Sequence, residues 1–235
     1  MTESAITDRR AMLAQHFLLA QLDDNALDTL LAVASERRFT NGQVIFQKSD
    51  PGTSMMAVLA GRVRISAYSE DGREIILNIV EPGQLFGEIA LLDGKERSAD
   101  ATAMGKTELL ILDRRDFLPF LERNPKIAVQ LIEVLCDRVR RTSEMVESIA
   151  FLDFGARLAK LLLQLAENYG KETEGGLLID LRISQSDLGN LIASTRESVN
   201  RQLSAWTQEG VIAMEQGKIT LIDQETLELM AQSLV

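Results

Sequence analysis

Apolar spacing divides the chain into three textures. Near the start, Leu19, Leu22, Leu27, Leu30 and Leu31 recur close to helical spacing and predict a short helical lead from about Arg9 to Ser35, with Asp23 to Asn25 as a turn or cap. From Phe39 to about Leu112 the apolar runs are short: Val44-Ile45-Phe46, Met55 to Leu59, Val63-Arg64-Ile65, Ile75-Ile76-Leu77 and Leu109 to Leu112. Glycines punctuate them at Gly42, Gly52, Gly61, Gly72, Gly83, Gly94 and Gly105, at intervals of 9 to 11 residues. Asp71-Gly72 is a hairpin signal, because both residues tolerate positive φ, and Pro82-Gly83 reads as another turn. Many short strands at this spacing predict an all-β barrel or jelly roll.

The third texture is helical. Pro125 opens a segment that reaches about Phe151. Ile132, Val139 and Val146 lie seven apart, as do Leu135, Thr142 and Ile149, making an a/d seam of about three heptads. Such a seam predicts a parallel two-stranded coiled coil, and so a homodimer through residues 125–152; the alternative is a core helix packed on its own barrel. Thr142 is a polar residue in that seam, with Ser143 beside it. It is either a register device or a place where a buried ligand uses the hydroxyls. Asp153 predicts an N-cap for a further helix, Phe154 to Glu167, leaving a short hinge at Phe151 to Phe154. Asn168 to Gly176, with Gly170, Gly175 and Gly176, reads as a loop.

Within the β texture, the stretch from Phe86 to Ala103 carries the most chemistry. Gly87 and Glu88 follow a strand, Ile89 begins a short apolar run, and Arg97-Ser98 precede the next strand. A guanidinium such as that of Arg97 forks onto two phosphate oxygens. The Ser98 hydroxyl and exposed backbone N–H groups add donors. Glu88, acceptor-only when ionised, suits a sugar hydroxyl. The competing reading makes Arg97 a surface ion pair with Glu88 or Glu96.

Near the C-terminus, Ser184-Gln185-Ser186-Asp187 has the form of a capping box, followed by Leu188, Leu191 and Ile192. Ala193-Ser194 makes a turn, and Ser194-Thr195-Arg196-Glu197 repeats the capping pattern ahead of Val199 and Leu203. Two short helices with the small Gly189 between packing residues predict a helix-turn-helix. Its second helix would present Arg196, Glu197 and Arg201 to base edges, with Ser194 and Thr195 as phosphate contacts. Alternatively Glu197 is only the capping acid and Arg201 its i, i+4 partner. Val211 to Ile222, with Gly217, reads as a wing hairpin.

These residues resemble a known family. Gly87-Glu88, then Arg97-Ser98, look like the phosphate-binding cassette of cyclic-nucleotide-binding domains, and nearly the full chain resembles the cyclic-AMP receptor protein branch of the CRP/FNR transcription factors. The resemblance implies an α+β protein: an N-terminal β jelly roll over residues 1–124, a dimerisation helix and hinge over 125–152, and a winged helix-turn-helix over 153–235. It implies cyclic AMP or cyclic GMP as an allosteric ligand. Gly87 and Glu88 would bind the ribose 2′-hydroxyl, with Ile89 in the same ligand-binding set, and Arg97 and Ser98 the cyclic phosphate. Thr142, with Ser143 of the partner subunit, would contact the purine across the dimer. Arg196, Glu197 and Arg201 stand in the family's base-reading pattern, which implies a palindromic operator with half-sites like TGTGA. The segment from Asn168 to Gly176 falls where the family contacts RNA polymerase, and its sequence diverges there. Ala193 stands where the turn often has Gly, and Gln202 where an apolar residue is common.

Composition narrows the alternatives. At 235 residues, 46% hydrophobic and 26% charged, the chain suits two modest domains or one large one. No apolar run approaches ~20 residues, so no membrane span is expected, and the polar start lacks a signal-peptide core. The single Cys136 excludes an intrachain disulfide and fits a reducing cytoplasm. An iron–sulfur cluster needs about four Cys ligands, and haem or a metal-dependent cupin would want His ligands where only His16 exists, so neither a metal cofactor nor an enzyme is expected. Net charge argues for focused rather than diffuse nucleic-acid binding. The chain carries −10, and from Gly155 onward seven Lys/Arg face eleven Asp/Glu, a net of −4. Two rivals stay open: a nucleotide-binding module with no DNA function, and a DNA-binding dimer with a vestigial pocket.

Overall fold

The computed structural model describes residues 24–233. Those up to Ala67 together with Leu77–Arg138 form one compact unit, and Tyr68–Ile76 together with the residues from Val139 on form a second. The predicted helical lead is described from Asp24, as helix α1 (Asp24–Val33). Its earlier part, with His16, Leu19 and Leu22, lies outside the described residues.

Two long strands, β3 (Ser54–Tyr68) and β6 (Asp100–Asp113), make the spine of the first unit. They pair antiparallel from Ser54 opposite Asp113 to Ser66 opposite Asp100, with register shifts around Ala60. β1 (Ser35–Phe39) and β2 (Val44–Phe46) add to β6, while β4 (Glu74–Val80) and β5 (Leu85–Phe86) add to β3. The continuous apolar run at Met55 to Leu59 now has a cause. Side chains alternate across a strand, and both faces of this sheet are covered. Met56, Val58 and Val63 join Phe86, Ala101 and Leu109 on the inner face of the roll. Met55 and Ala57 join Leu27, Leu30, Phe117, Ile127 and Leu131 under the helices.

Those covering helices include one that the apolar pattern does not announce. α2 (Glu88–Asp93) is short, but α3 (Arg114–Arg123) runs for ten residues with Pro119 inside it, held by Phe117 and Phe120 in the core. α4 (Pro125–Phe151) follows, with Pro at its first position, where no N–H is needed. Its Ile127, Gln130 and Leu131 are buried, while Val129, Ile132, Val139, Val146, Ile149 and Phe151 are exposed.

In the second unit Asp153 caps α5 (Phe154–Tyr169), its Oδ1 accepting from Ala156 N at 2.7 Å, as expected. The expected loop from Asn168 to Gly176 is not a loop. α5 continues to Tyr169, and β7 (Gly170–Thr173) pairs with β8 (Gly176–Ile179). Gly175 makes the hairpin turn, whereas Gly170 and Gly176 pack closely. A Cβ at Gly170 would lie 2.2 Å from Ala166 O, and one at Gly176 would lie 2.2 Å from Leu221 O. α6 (Gln185–Leu191) and α7 (Arg196–Gln208) form the helix-turn-helix, β9 (Ile212–Glu215) and β10 (Lys218–Leu221) the wing, and α8 (Gln224–Met230) closes the unit. The sheet order is β7-β8-β10-β9. Leu158, Leu162, Leu188, Val199, Leu203, Trp206 and Leu227 fill one core. Among the described residues no helix is long and apolar enough to cross a membrane.

Trp206, the one tryptophan in the chain, is buried in this core and reports on it. Leu162→Ala removes a fully buried side chain from the same cluster and is expected to destabilise the unit by about 2–5 kcal/mol. Urea unfolding followed by Trp206 fluorescence checks this; an unmoved midpoint contradicts it.

Candidate nucleotide pocket and DNA-reading helix

Arg97 is the centre of the cassette, and only 5% of it is exposed. Its placement starts with the backbone. Arg97 N donates to Asp50 O and Ser49 N to Arg97 O, both at 2.9 Å, zipping the end of the cassette to the turn before β3. The guanidinium is then fixed on three sides. Nη1 donates to Gly87 O at 2.8 Å, Nη2 donates to Ser54 Oγ at 3.1 Å, and Cζ stands 4.2 Å from the centre of the Phe46 ring. Nε is buried with no partner among the described residues. Burial pulls the Arg97 pKa below the usual arginine value, and the charges of Glu88 and Asp50 push it back up. The surface ion pair is therefore not the arrangement seen: Arg97 is inside, and its N–H groups go to a carbonyl and a hydroxyl.

Gly87 takes φ 77, the left-handed region, and turns the chain from β5 into α2. A Cβ there would lie 2.7 Å from Arg97 Nη1. Only glycine meets both demands. Glu88, the next residue, is wholly buried. Its Oε1 accepts from Arg138 Nη1, and Arg138 Nη2 donates to Leu85 O; Oε2 has no partner among the described residues. Arg138 was not among the residues the sequence nominated. Its signal is its place on α4, on the stripe with Ile127, Leu131 and Val134 that faces the roll. Ile89 and Ser98 are exposed beside these buried groups. Thr142 and Ser143 are neighbours on α4, both exposed. They belong to the second unit, whereas Gly87, Glu88, Ile89, Arg97 and Ser98 belong to the first.

In the helix-turn-helix, Ser184 caps α6 as expected, its Oγ accepting from Asp187 N at 3.0 Å and donating to Asp187 Oδ2 at 2.6 Å. The second cap differs from expectation. Thr195, not Ser194, caps α7, its Oγ1 accepting from Ser198 N at 3.2 Å. Ser194 instead closes the turn, its N donating to Gly189 O at 2.8 Å. A Cβ at Gly189 would come within 2.9 Å of Ser194 O, so the two helices meet at that glycine. Moving the cap by one residue frees Glu197 from the capping role. Val199, Leu203 and Trp206 face the core, and Arg196, Glu197, Asn200 and Arg201 are exposed on the opposite face. Asn200 is an exposed residue near the start of α7 that the motif passed over, although it lies four residues after Arg196 and three after Glu197.

Comparison with known proteins agrees with both halves. The cyclic nucleotide-binding domain profile matches residues 36–124, and the Crp-like helix-turn-helix profile matches residues 156–230. The cyclic AMP receptor protein of Thermus thermophilus is 34% identical over 205 residues, covering 87% of this chain and 92% of that protein. The chain belongs to the CRP/FNR family of transcription regulators. A CRP-like cAMP-activated global transcriptional regulator of Mycobacterium tuberculosis is 29% identical, covering 94% of this chain and 99% of that one. The crystal structure of a CRP/FNR family regulator from Thermus thermophilus matches at a TM-score of 0.69 and 30% identity, over 85% of this chain and 99% of that one. The α+β architecture of roll, long helix and helix-turn-helix is that of CRP/FNR regulators.

The turn between α6 and α7 of this CRP/FNR regulator carries a strained residue. Ala193 adopts φ 53, a conformation that an alanine Cβ disfavours. Ala193→Gly is expected to stabilise the second unit by about 1 kcal/mol, raising its thermal midpoint in calorimetry. A lowered midpoint contradicts the strain argument.

Proposed function

We propose that this regulator is a homodimer that binds cyclic AMP in each roll and, when loaded, a palindromic DNA operator. One observation carries the ligand reading: a buried guanidinium, Arg97, is held from three sides while its Nε lacks a partner among the described residues, close to a buried carboxylate, Glu88, whose Oε2 also lacks one there. An unpaired buried polar atom costs about 1–3 kcal/mol. A cyclic phosphodiester supplies anionic acceptors for Arg97 and Ser98, and its ribose hydroxyl supplies a donor for Glu88. Gly87 lets the sugar approach the backbone, and Ile89 flanks it. The names of the relatives favour cyclic AMP. Thr142 and Ser143 take the purine, where hydroxyls that both donate and accept suit an adenine or a guanine edge.

The exposed residues on α4 support the dimer. Val139 is 66% exposed and Val146 60%, at the spacing of a coiled-coil seam. Two α7 helices related by that symmetry would read half-sites about 34 Å apart. On each, Arg196 and Arg201 fork onto guanine, Glu197 accepts from cytosine N4 and Asn200 suits adenine, while Ser194 and Thr195 hold phosphates. Ligand shifts the population only if it binds the DNA-competent state better than the other. The β7–β8 hairpin takes the place at which the family meets RNA polymerase.

Arg97→Ala is expected to lower cyclic AMP affinity at least about tenfold by calorimetry. Wild-type affinity in that variant, or a preference for cyclic GMP in the parent, contradicts the ligand assignment. Arg196→Ala is expected to keep ligand binding but lose about 1–3 kcal/mol of discrimination between operator and scrambled duplex in anisotropy titrations. An unaltered operator preference removes Arg196 from the base-reading set.

A further inference from the structure

Three strands of the C-terminal sheet converge on one ion cluster. Asp180 follows the last residue of β8, and Lys218 of β10 and Lys171 of β7 each bring Nζ to 2.5 Å from one of its oxygens, Oδ1 and Oδ2 respectively. Strand register puts them there. Ile219 of β10 and Gly170 of β7 both pair with Ile179, and Asp180 N donates to Tyr169 O at 2.9 Å. With one ammonium on each oxygen, the lysines hold the Asp180 carboxyl down at about 2. The cluster therefore stays fully charged at any pH at which the protein meets DNA.

The location gives the cluster meaning. Lys218 is the first residue of β10, directly after the wing-tip turn at Gln216-Gly217, where φ is 50 and 77. Asp180 lies four residues before Ser184, the cap of α6. This end of the sheet thus carries the wing tip and the entry to the helix-turn-helix, where phosphate-positioning contacts are made. Cations are scarce in this part of the chain: from Gly155 on there are seven Lys/Arg against eleven Asp/Glu, and this cluster occupies two of the seven.

We propose that Asp180 is an internal phosphate mimic: in the free protein it holds Lys218, and on DNA binding Lys218 exchanges to a backbone phosphate while Lys171 stays and keeps the carboxylate paired. The inference rests on the DNA-binding reading above. A carboxylate and a phosphate offer the same anionic acceptor to an ammonium, which sits on a flexible four-carbon stem. The side chains of Lys171, Lys218 and Asp180 are 68%, 36% and 30% exposed, so the bridges are weak and exchange is cheap. Phosphate has the added drive of counterion release. Asp180 then lowers affinity for every duplex alike without touching sequence preference.

The test is fluorescence anisotropy of the full chain with saturating cyclic AMP, on an operator duplex and on a duplex of arbitrary sequence, over a salt series. Asp180→Asn is expected to raise affinity about two- to fivefold on both duplexes. Lys218→Gln is expected to lower the slope of log affinity against log salt by about 0.9, as for one lost phosphate contact. The double variant is expected to behave as Lys218→Gln alone. Unaltered Trp206 emission verifies that each variant is folded. An Asp180→Asn gain that is absent, confined to the operator, or equally large without Lys218 overturns the proposal, as does an unchanged slope in Lys218→Gln. Wild-type protein that binds neither duplex at low salt refutes the DNA-binding reading itself, a result distinct from any of these.

Discussion

A carboxylate that water cannot reach must be matched by a cation, and in this roll the cation comes from the long helix. Glu88 is wholly buried, and Arg138 of α4 grips both its Oε1 and the carbonyl of Leu85. Removing one partner of such a buried pair typically costs about 3–5 kcal/mol, because the other charge is left stranded. The pair therefore locks the start of α2 to α4, and the turn at Gly87 must take the geometry that the lock allows. A group bound at Glu88 Oε2 shares the carboxylate with Arg138, and Arg138 sits one residue before α4 passes into the second unit.

The two guanidiniums that meet Gly87 and Glu88 divide the work. Arg138 is satisfied by protein groups on two of its nitrogens and acts as a brace. Arg97 is oriented just as firmly, by Gly87, Ser54 and the Phe46 ring, yet it keeps a buried N–H unspent. A phosphate ligand needs that combination: a cation desolvated in advance, whose orientation does not have to be won at the moment of binding.

What the sequence revealed, and what it hid, follows from the range of each interaction. Local chemistry was legible. The hairpin at Asp71-Gly72, the caps at Asp153 and Ser184, and the apolar heptads of α4 are all set within a few residues. Contacts distant in sequence were not. Arg138 meets Glu88 across 50 residues, and Ser54 meets Arg97 across 43, with no motif linking either pair. α3, with Pro119 inside it, was not among the elements read from the sequence; Phe117 and Phe120 hold it from the core side. The β7–β8 hairpin was missed because Gly170 and Gly176 serve close packing, which looks the same as looseness when only residue types are visible. Thr195 displaced Ser194 as the cap because Gly189 recruits the Ser194 backbone first.

If the proposed dimer closes over the exposed aliphatic residues of α4, concentration becomes a variable of this protein. Val129, Ile132, Val139, Val146 and Ile149 line one helix and are exposed among the described residues. Wherever such a surface is buried by self-association, mass action ties the folded population to the amount of protein present. Dilution then acts as a hidden effector. Midpoints and affinities measured at nanomolar and micromolar chain describe different ensembles, and the cell's own copy number becomes part of the regulatory setting.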